Sequence, residues 1–423
     1  MSAPDLSLLG TRRLGPMFAV QFLGAFNDNL LKYALLFLAS FTVYAGEPGR
    51  AEQLAVICTG LFILPYFLFS GLAGQIADRT DKARLVRLVK VAETIIMALA
   101  MAGFWLRSIP LLMTCLFLMG VHSAVFGPVK YSILPQHLRR DEIMGGTGLV
   151  EGGTFLAILG GQLLAGLISP WQAGLVALVL AVIGLVASFA VPPAPPSDRG
   201  QPIDFNILRS TWRVLQTTRH GRGIWLAILG ISWFFTAGAV LTSELAPLVS
   251  GRFAASPAVV NLFLAVFSVS VALGSLAVNR LLKGEVSARF VPASALGMAA
   301  GLIDLWFSSH AFVPQVRGAG VSAFLSQPGA WRLMVDLAAI ALSGGVFIVP
   351  LYAILQVHSA PDERSQVVAA NNILNAAVTV VVVLLFSGLL ARGSDVADLI
   401  GILGLITLAV AGASAWLLPR AGR

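Results

Sequence analysis

The chain has 423 residues, of which 57% are hydrophobic and 11% are charged, and its formal net charge is +8. An average soluble domain carries about 25% charged residues. The charges stand in short clusters between apolar stretches of about 20 residues, the length that one helix needs to cross the hydrocarbon layer. A soluble protein of this size could not bury so many helices without a polar face. The composition predicts an all-α polytopic membrane protein.

The two cysteines, Cys58 and Cys115, each lie inside an apolar stretch. This placement indicates small core residues of membrane helices rather than a disulfide or metal framework. No Walker loop, Ser-His-Asp set or metal-ligating cluster stands elsewhere in the sequence. We therefore expect no metal and no cofactor.

Twelve apolar stretches are long enough to be membrane spans. They are 14–44, 54–76, 85–106, 109–127, 144–169, 172–191, 224–250, 256–282, 288–308, 332–357, 365–390 and 396–418.

The distribution of basic residues predicts the orientation. If the N-terminus is cytoplasmic, 21 of the 28 Lys and Arg residues fall on the cytoplasmic side, six fall outside and Lys32 lies within a span. The positive-inside rule produces this asymmetry when an even number of spans leaves both termini in the cytoplasm. The net positive charge then reflects anionic lipid at the inner leaflet and gives no reason to expect nucleic acid.

A proline-rich segment after the sixth predicted span divides the chain. We expect an N-terminal six-helix half over 1–191, a cytoplasmic linker over 192–223 and a C-terminal six-helix half over 224–423. Within the linker, apolar residues recur at helical spacing among arginines, which predicts an amphipathic helix on the membrane surface. A solvated charged tether is the alternative. The residues of this pattern are Ile203, Phe205, Leu208, Trp212 and Leu215 with Arg209, Arg213 and Arg219.

The two predicted halves repeat each other. Tyr131-Ser-Ile-Leu-Pro-Gln-His recurs at Tyr352-Ala-Ile-Leu-Gln-Val-His, an offset of 221 residues. Asp78-Arg79 and Lys82 also resemble Asn279-Arg280 and Lys283. Two six-helix halves related in this way are typical of the major facilitator architecture, whose substrate site lies between the halves.

A cytoplasmic motif between spans two and three runs Gly74-Gln-Ile-Ala-Asp78-Arg79-Thr-Asp81-Lys82. It resembles the Gly-x-x-x-Asp-Arg-x-Gly-Arg motif of major facilitators, with Asp81 where glycine is usual. A glycine lets two helices approach closely, and the charged cluster can bridge to neighbouring helix ends when the inner gate is shut. We expect Gly74, Asp78, Arg79, Lys82 and Arg280 of the second copy to act in gating; positive-inside anchoring alone is the alternative.

The first span carries Asn27-Asp28-Asn29 and Lys32. An ionised group in the middle of the bilayer costs roughly 2.5–3.5 kcal/mol on insertion scales, so such groups usually face a cavity or a partner. Asp28 and Lys32 lie four residues apart on one helical face, where they could form a structural pair. With amides on either side, we favour a polar surface on the substrate pathway.

Other polar residues also interrupt the apolar spans, and we expect several of them at the same cavity. Lys130 is predicted at the inner mouth, where it could attract a phosphate or serve only as an inside-positive residue, and Glu93 could instead join two helices. The remaining candidates are Tyr131, Glu151, Glu244, Asn371, Asn372 and Asn375.

One pattern resembles a catalytic box. His137 and Asp141 are reminiscent of the His and Asp of glycerolipid acyltransferases, but three residues separate them instead of four. The same spacing recurs at His358 and Asp362. A duplicated loop feature explains this recurrence better than catalysis does, so we expect no enzyme.

Four segments together resemble the bacterial lysophospholipid transporter family of the major facilitator superfamily. They are QFLGAFNDNLLKYALLFL, GPVKYSIL, GLVEGGTFLAILGG and VPLYAILQ with VVAANNILNA, and the resemblance covers nearly the whole chain. It is closest to the form fused to an acyltransferase and acyl-carrier-protein synthetase. Here we expect those enzymes to be separate proteins.

The resemblance implies a flippase of the bacterial inner membrane. It would move lysophosphatidylethanolamine and related lysolipids from the outer to the cytoplasmic leaflet for re-acylation, as a monomer. By motif match it assigns substrate contacts to Asn27, Asp28, Asn29, Lys130, Tyr131, Glu151, Asn371 and Asn372.

Two departures from the family pattern bear on the head group. Thr147 stands where Asn is expected, and Glu244 lies where some members have Arg.

Two other functions are compatible with the sequence. One is a proton-coupled exporter of drugs or other hydrophobic compounds that uses Asp28, Glu151 or Glu244, and the other is a membrane acyltransferase or its non-transporting partner.

Overall fold

The computed structural model describes residues 5–197, 203–218 and 221–421, and in these ranges it contains twelve long helices joined by short segments. We number these helices in chain order. They are α1 Gly15–Leu38, α2 Pro48–Arg79, α3 Lys82–Trp105, α4 Ile109–Ser132, α5 Ile143–Leu167, α6 Pro170–Ser188, α7 Arg222–Pro247, α8 Pro257–Leu282, α9 Val291–Ala311, α10 Ala330–His358, α11 Arg364–Ala391 and α12 Val396–Ala421.

Several helices begin where the sequence supplies a start signal. Ser169 precedes α6 and forms a capping box with Gln172, so that side chains satisfy otherwise unpaired backbone groups. Proline occupies the first turn of α2, α4, α6 and α8, where its missing N–H is not needed and its fixed φ suits the helix. Local sequence therefore sets these boundaries before tertiary packing begins.

Ten of the long helices in the described ranges are long and apolar enough to cross a membrane. The other two, α1 and α3, are also of spanning length but carry buried polar and charged groups, among them Asn27, Lys90 and Glu93. Large apolar side chains cover the outside of the bundle; Val381, Leu384 and Leu385 are 56–66% exposed. The polytopic membrane fold is confirmed, and the count of twelve spans stays a prediction.

Helix pairing follows the same pattern in both halves. In the first half α1 packs against α5 and α6, α2 packs against α4, and α3 packs against α4 and α6. The second half repeats each of these contacts six helices later: α7 with α11 and α12, α8 with α10, and α9 with α10 and α12. Between the halves, α2 meets α11 and α5 meets α8, which are equivalent contacts under the same relation. This pairing confirms the predicted pseudo-symmetry.

In each of the two helix pairs that join the halves, a glycine faces the neighbouring helix. The glycine lies on α2 in one pair and on α5 in the other, which are not repeat equivalents. At Gly74 of α2 a Cβ atom would lie 2.8 Å from the Cβ of Ala369 on α11. At Gly148 of α5 it would lie 2.4 Å from the carbonyl oxygen of Ser275 on α8. Ser275 is the repeat equivalent of Gly74, and Ala369 is that of Gly148. Each interface thus has a glycine at this repeat position, because a missing side chain allows the helices to approach this closely.

We call one end of the bundle the basic end. It contains the C-terminal ends of α2, α4, α8 and α10 and the N-terminal ends of α1, α3, α5, α7, α9 and α11. The linker helix, Ile207–Thr217, lies here against α2 and α11. Its Ser210 and Val214 are buried, whereas Leu208 and Trp212 are 74% and 59% exposed. Arg219 lies outside the described residues. Of the apolar residues in the predicted pattern, Phe205, Leu208 and Trp212 are therefore exposed, whereas Ile203 and Leu215 are half-buried and Leu215 packs against the core.

An ion pair at the basic end joins the start of the chain to the start of α5. Arg13 donates to both carboxylate oxygens of Glu142 at 2.5 and 2.8 Å, and Arg139 contacts the same carboxylate at 2.9 Å. The hydrogen bonds from Arg13 lower the pKa of Glu142 below its ordinary value. A carboxylate whose pKa is lowered by folding stabilises the fold above its unfolded pKa and loses this effect as pH falls through the folded pKa.

We expect Glu142→Gln to lower the thermal stability of the detergent-purified protein at neutral pH. The loss should not exceed about 1 kcal/mol, because Arg13 is 40% exposed and water screens the pair. The gap in melting temperature between wild type and variant should narrow as pH falls below about 4.3, the ordinary pKa of Glu.

Glu363→Gln is the matched control, because Glu363 is the repeat equivalent of Glu142 and is exposed. Its melting temperature should follow that of the wild type at every pH. A gap for Glu142→Gln that does not change with pH would contradict the assigned role of the ion pair.

Candidate functional site

The two halves are in direct contact near the basic end. The Asp78 carboxylate accepts hydrogen bonds from the backbone N–H groups of Ser365 at 3.0 Å and Gln366 at 3.2 Å. These N–H groups belong to the first turn of α11, where no carbonyl within the helix is available to accept from them and the helix dipole favours a negative charge. Asp78 of one half therefore caps a helix of the other half.

The other residues of the cytoplasmic motif have different roles. Asp81, which replaces the usual glycine, accepts from the backbone N–H of Arg84 at 2.9 Å and so caps α3. The Lys82 ammonium is buried and lies 3.3 Å from the hydroxyl of Ser197 in the linker. Arg79 ends α2 beside Asp78, whereas Arg280 is exposed at the end of α8. Asp78 and Gly74 make contacts between the halves, and the gating role of all five residues stays a prediction.

Two tyrosines related by the internal repeat meet between the halves. The rings of Tyr131 on α4 and Tyr352 on α10 stack with their centroids 4.1 Å apart and their planes 9° from parallel. Closer to the basic end, the hydroxyl of Ser365 donates to that of Ser132 at 2.8 Å. Together with the Asp78 cap, these contacts form a closed layer across the bundle.

A cavity of about 360 Å³ lies beyond the closed layer, toward the end of the bundle opposite the basic end. Helices α1, α2, α4, α5, α7, α10 and α11 contribute to its wall. Its boundary with the closed layer is formed by Tyr131 and Tyr352. The cavity thus lies between the two halves, where the repeat predicted a substrate site.

Seven of the eleven predicted substrate contacts line this cavity. They are Asp28, Asn29, Lys130, Tyr131, Glu151, Asn372 and Asn375.

The charged groups of the cavity wall come from the N-terminal half. Asp28 accepts a hydrogen bond from the hydroxyl of Ser123 at 2.8 Å, and Glu151 accepts one from the hydroxyl of Tyr131. The Lys130 ammonium lies 4.7 Å from the centre of the Tyr131 ring. Within the described residues neither Asp28 nor Lys130 forms an ion pair within 4.0 Å. The wall therefore presents two carboxylates, Asp28 and Glu151, and one ammonium, Lys130, and within the described residues none of the three is in an ion pair at that distance.

Four predicted contacts lie away from the cavity wall. The Asn27 amide donates to Glu93 at 2.9 Å and to the carbonyl of Ala177 at 3.1 Å, inside the N-terminal half. Lys32 lies over the ring of Tyr33 at 5.9 Å and does not pair with Asp28. Glu244 interacts with neighbouring Ser243. Asn371 is buried behind the wall, where its amide lies 3.5 Å from the hydroxyl of Tyr352.

Sequence reasoning missed several polar residues of the wall. They are Gln21, Tyr66, His122, Ser123, Thr154, Tyr352 and Thr379. Most are uncharged and stand singly among apolar residues, so no pattern separates them from ordinary helix residues. Tyr352 is the exception, because it is the repeat equivalent of Tyr131 and could have been assigned by that relation.

The acyltransferase-like pattern does not form a site. The His137 ring lies near the carbonyl of Pro193, and the side chain of Asp141 is 74% exposed beside Arg139. Within the described residues no group of three His, Cys, Asp or Glu side chains could hold a metal ion.

Two six-helix halves around a polar cavity, closed at one end, define a membrane transporter. The family model of the Major Facilitator Superfamily matches residues 17–382. The human organic anion transporter MFSD10 has a similar fold, with a TM-score of 0.65 at 16% identity over 100% of this chain and 98% of that one. For the Escherichia coli fucose:proton symporter FucP the TM-score is 0.67 at 14% identity, over 95% and 97% of the chains. At these identities the likeness concerns the fold alone.

Curated relatives narrow the class. The lysophospholipid transporter LplT of Salmonella newport is 30% identical over 80% of this chain and 78% of the relative. Those of Photorhabdus laumondii and Citrobacter koseri are 29% and 28% identical, over 82% and 95% of this chain and 80% and 94% of the relatives. The chain belongs to the lysophospholipid transporter family of the Major Facilitator Superfamily, as its motifs predicted. The expectation of a transporter rather than an enzyme is confirmed by the same comparisons.

We expect Gly74→Val to open the closed layer at the basic end, because the added side chain would collide with α11. Overpacking costs about 1–3 kcal/mol, which corresponds to a loss of roughly 5- to 150-fold in the closed population. Spin labels at Arg140 and Arg289, in a background without Cys58 and Cys115, report the distance between the halves by double electron–electron resonance.

Gly60→Val is the matched control on the same helix, because no atom lies within 4 Å of the position that its Cβ would occupy. The control should keep the wild-type distance distribution. A distribution for Gly74→Val that matches the wild type would show that this contact does not hold the layer closed.

Proposed function

We propose that this chain is a secondary transporter that moves lysophospholipids from the outer to the cytoplasmic leaflet of the bacterial inner membrane. Curated relatives that align with most of the chain are named lysophospholipid transporters. The fold is one in which two halves rock around a central site to give alternating access. We further propose that the halves are residues 1–191 and 224–423, joined by a linker over 192–223, and that one polypeptide is the working unit.

The orientation rests on the distribution of basic residues. Most Lys and Arg residues fall in segments at the basic end, which we therefore assign to the cytoplasm together with both termini. With this assignment the closed layer around Asp78 and Ser365 is the shut inner gate. The cavity then lies on the outer side of the gate, where it can receive cargo from the outer leaflet.

The observation that carries the proposal is the pair of opposite charges in the cavity wall. Asp28 and Lys130 lie in one cavity, and neither has a close ion-pair partner among the described residues. An isolated charge within the membrane is costly, so both positions favour a cargo that brings complementary charges. A zwitterionic lysolipid head group brings an ammonium for Asp28 and a phosphate for Lys130. A cargo without charge would bring no ion-pair partner to either group.

The rest of the wall suits a cargo with one acyl chain. Phe62, Ile63, Phe126, Ile158 and Phe235 form apolar parts of the wall. The cavity of about 360 Å³ is near the lower end of the range for ligand pockets, about 300–1,000 Å³. We assign it to the head group and expect the acyl chain to extend from it between the helices.

The chain's own residues can release the cargo at the cytoplasmic face when the gate opens. Opening requires Asp78 to leave the first turn of α11 and the stacked rings of Tyr131 and Tyr352 to part. Both changes occur between the halves and break no helix. Net movement can then follow the consumption of lysolipid, and we propose that a separate acyltransferase and acyl-carrier-protein synthetase re-acylates it in the cytoplasmic leaflet.

We expect this chain to restore the uptake of labelled lysophosphatidylethanolamine in a bacterial strain without its own lysolipid transporter. Asp28→Asn and Lys130→Gln should each reduce the uptake rate roughly 10- to 150-fold, because each removes an interaction with a charged group worth about 1.5–3 kcal/mol.

Lys32→Gln is the matched control for Lys130→Gln, because Lys32 is absent from the cavity wall. Its uptake should stay near that of the wild type when the membrane contains equal amounts of each protein. If the well-inserted wild type restores no uptake, the lysolipid function is wrong, and export of hydrophobic compounds becomes the function to test. Wild-type uptake by both cavity variants would remove Asp28 and Lys130 from the site.

A further inference from the structure

A connected series of polar side chains leads from the cavity wall into the N-terminal half. Asp28 accepts from the hydroxyl of Ser123 at 2.8 Å, and that hydroxyl oxygen lies 3.4 Å from Nδ1 of His122. On the other side of the ring, Nε2 of His122 lies 3.1 Å from a carboxylate oxygen of Glu93. We call Asp28, Ser123, His122 and Glu93 the polar chain. It joins α1, α4 and α3.

The inner end of the polar chain is an ion pair shielded from water. The Lys90 ammonium lies 2.5 Å from Glu93, and the two side chains are 1% and 0% exposed. The Asn27 amide donates to the other oxygen of Glu93 at 2.9 Å. His122 is itself only 6% exposed, but it lines the cavity. The imidazole therefore lies between a buried ion pair and a carboxylate that cargo can reach.

The hydrogen-bond pattern of the polar chain indicates one proton more than a neutral His122 and an ionised Asp28 would hold together. Ser123 has a single hydroxyl hydrogen, and it is given to Asp28. Nδ1 of His122 consequently faces a hydroxyl lone pair, while Nε2 faces a carboxylate oxygen. Both ring nitrogens lie beside acceptor oxygens, Nε2 in an ion-pair contact without a hydrogen bond, and two such neighbours favour an imidazolium, which carries a hydrogen on each nitrogen. If the hydroxyl turns toward the ring instead, Asp28 must carry the proton and donate to Ser123.

The charges give the same count. An imidazolium and the Lys90 ammonium balance the carboxylates of Asp28 and Glu93. Without the proton, the cluster keeps one uncompensated negative charge inside the membrane, which is costly. The helices packed around α4 supply few other charges: Lys130 on α4 itself faces Glu151 on α5, α2 contributes the neutral Tyr66, and α11 contributes the amides of Asn372 and Asn375.

We propose, on the basis of the lysolipid function above, that the polar chain is a proton-binding site whose proton is displaced by the ammonium of the cargo. An ammonium beside Asp28 supplies the positive charge that the imidazolium supplied before. The proton then leaves His122 for water, and the cluster stays neutral. A lysolipid without an ammonium leaves this proton in place. His122 is a positioning residue here, because it acts on the cargo through Ser123 and Asp28.

The test counts the protons released when the purified full-length protein binds lysolipid. Isothermal titration calorimetry in two buffers of different ionisation enthalpy gives this count from the difference in binding heat. The pH is fixed between about 5 and 8, where imidazole titrates. With lysophosphatidylethanolamine, the wild type should release about one proton more than His122→Gln. With lysophosphatidylglycerol, which has the phosphate but no ammonium, the two proteins should give equal counts. In the acid part of this range, the wild-type affinity for lysophosphatidylethanolamine should increase with pH, by up to about tenfold per pH unit, because binding releases a proton.

A second variant can be measured if His122→Gln does not bind lysolipid. Ser123→Ala removes the connection between His122 and Asp28 and should release fewer protons than the wild type on binding lysophosphatidylethanolamine. Thr114→Ala is the control, because this hydroxyl of α4 is exposed and donates to the carbonyl of Pro110. It should keep the wild-type count.

The outcomes separate this proposal from the proposed function. If lysophosphatidylethanolamine binds and the proton count is the same in the wild type and in whichever of the two variants binds, the proton site is overturned and the lysolipid function stands. If neither lysolipid binds to the folded wild type, the proposed function is overturned, and the proton site falls with it.

Discussion

The carboxylate of Asp78 is a charged contact that joins the two halves at the basic end. It occupies the first turn of α11 and accepts two backbone hydrogen bonds from the other half. A hydrogen bond to a charged group contributes about 1.5–3 kcal/mol, and a negative charge at a helix N-terminus adds about 0.3–1 kcal/mol. Such energies keep one end of the bundle shut, yet they are small enough for the contact to break in a transport cycle. On the other side of this level the halves enclose the cavity, and α5 and α8 stay in contact there through Phe155 and Phe267.

The two repeats of this chain carry different residues at the positions that form this contact. Asp78 has a counterpart in Asn279, which has no charge, and Gly74 has a counterpart in Ser275, whose partner Gly148 supplies the missing volume. One interface therefore combines close packing with a charged cap, while the other has close packing and an uncharged side chain at the equivalent position. Both helix pairs approach closely, and one of them also carries a charged cap.

Charge is distributed unevenly across the cavity. The N-terminal half contributes Asp28, Lys130 and Glu151, whereas the C-terminal half contributes amides and hydroxyls such as Asn372, Asn375 and Thr379. Behind this wall Lys90 and Glu93 form a buried ion pair of their own. An uncharged opposite face can slide past the cargo without breaking an ion pair, which suits a site whose two walls must separate.

The sequence by itself determined the fold class, the internal repeat and seven of the wall residues, because hydrophobic length, charge asymmetry and repeated motifs are all local in the chain. It also singled out Gly74 and Asp78. Only the tertiary structure decided which polar residues face the cavity. Asn27 and Asp28 are neighbours in the chain, yet Asn27 points to Glu93 inside one half and Asp28 points to the cavity, since successive residues of a helix are turned by about 100°. Lys32 lies on the same side of α1 as Asp28 by spacing, but one further helical turn takes it beyond the cavity wall. His122 and Ser123 gave no signal at all, because a single polar residue in an apolar span acquires its role only from the side chains that other helices bring to it.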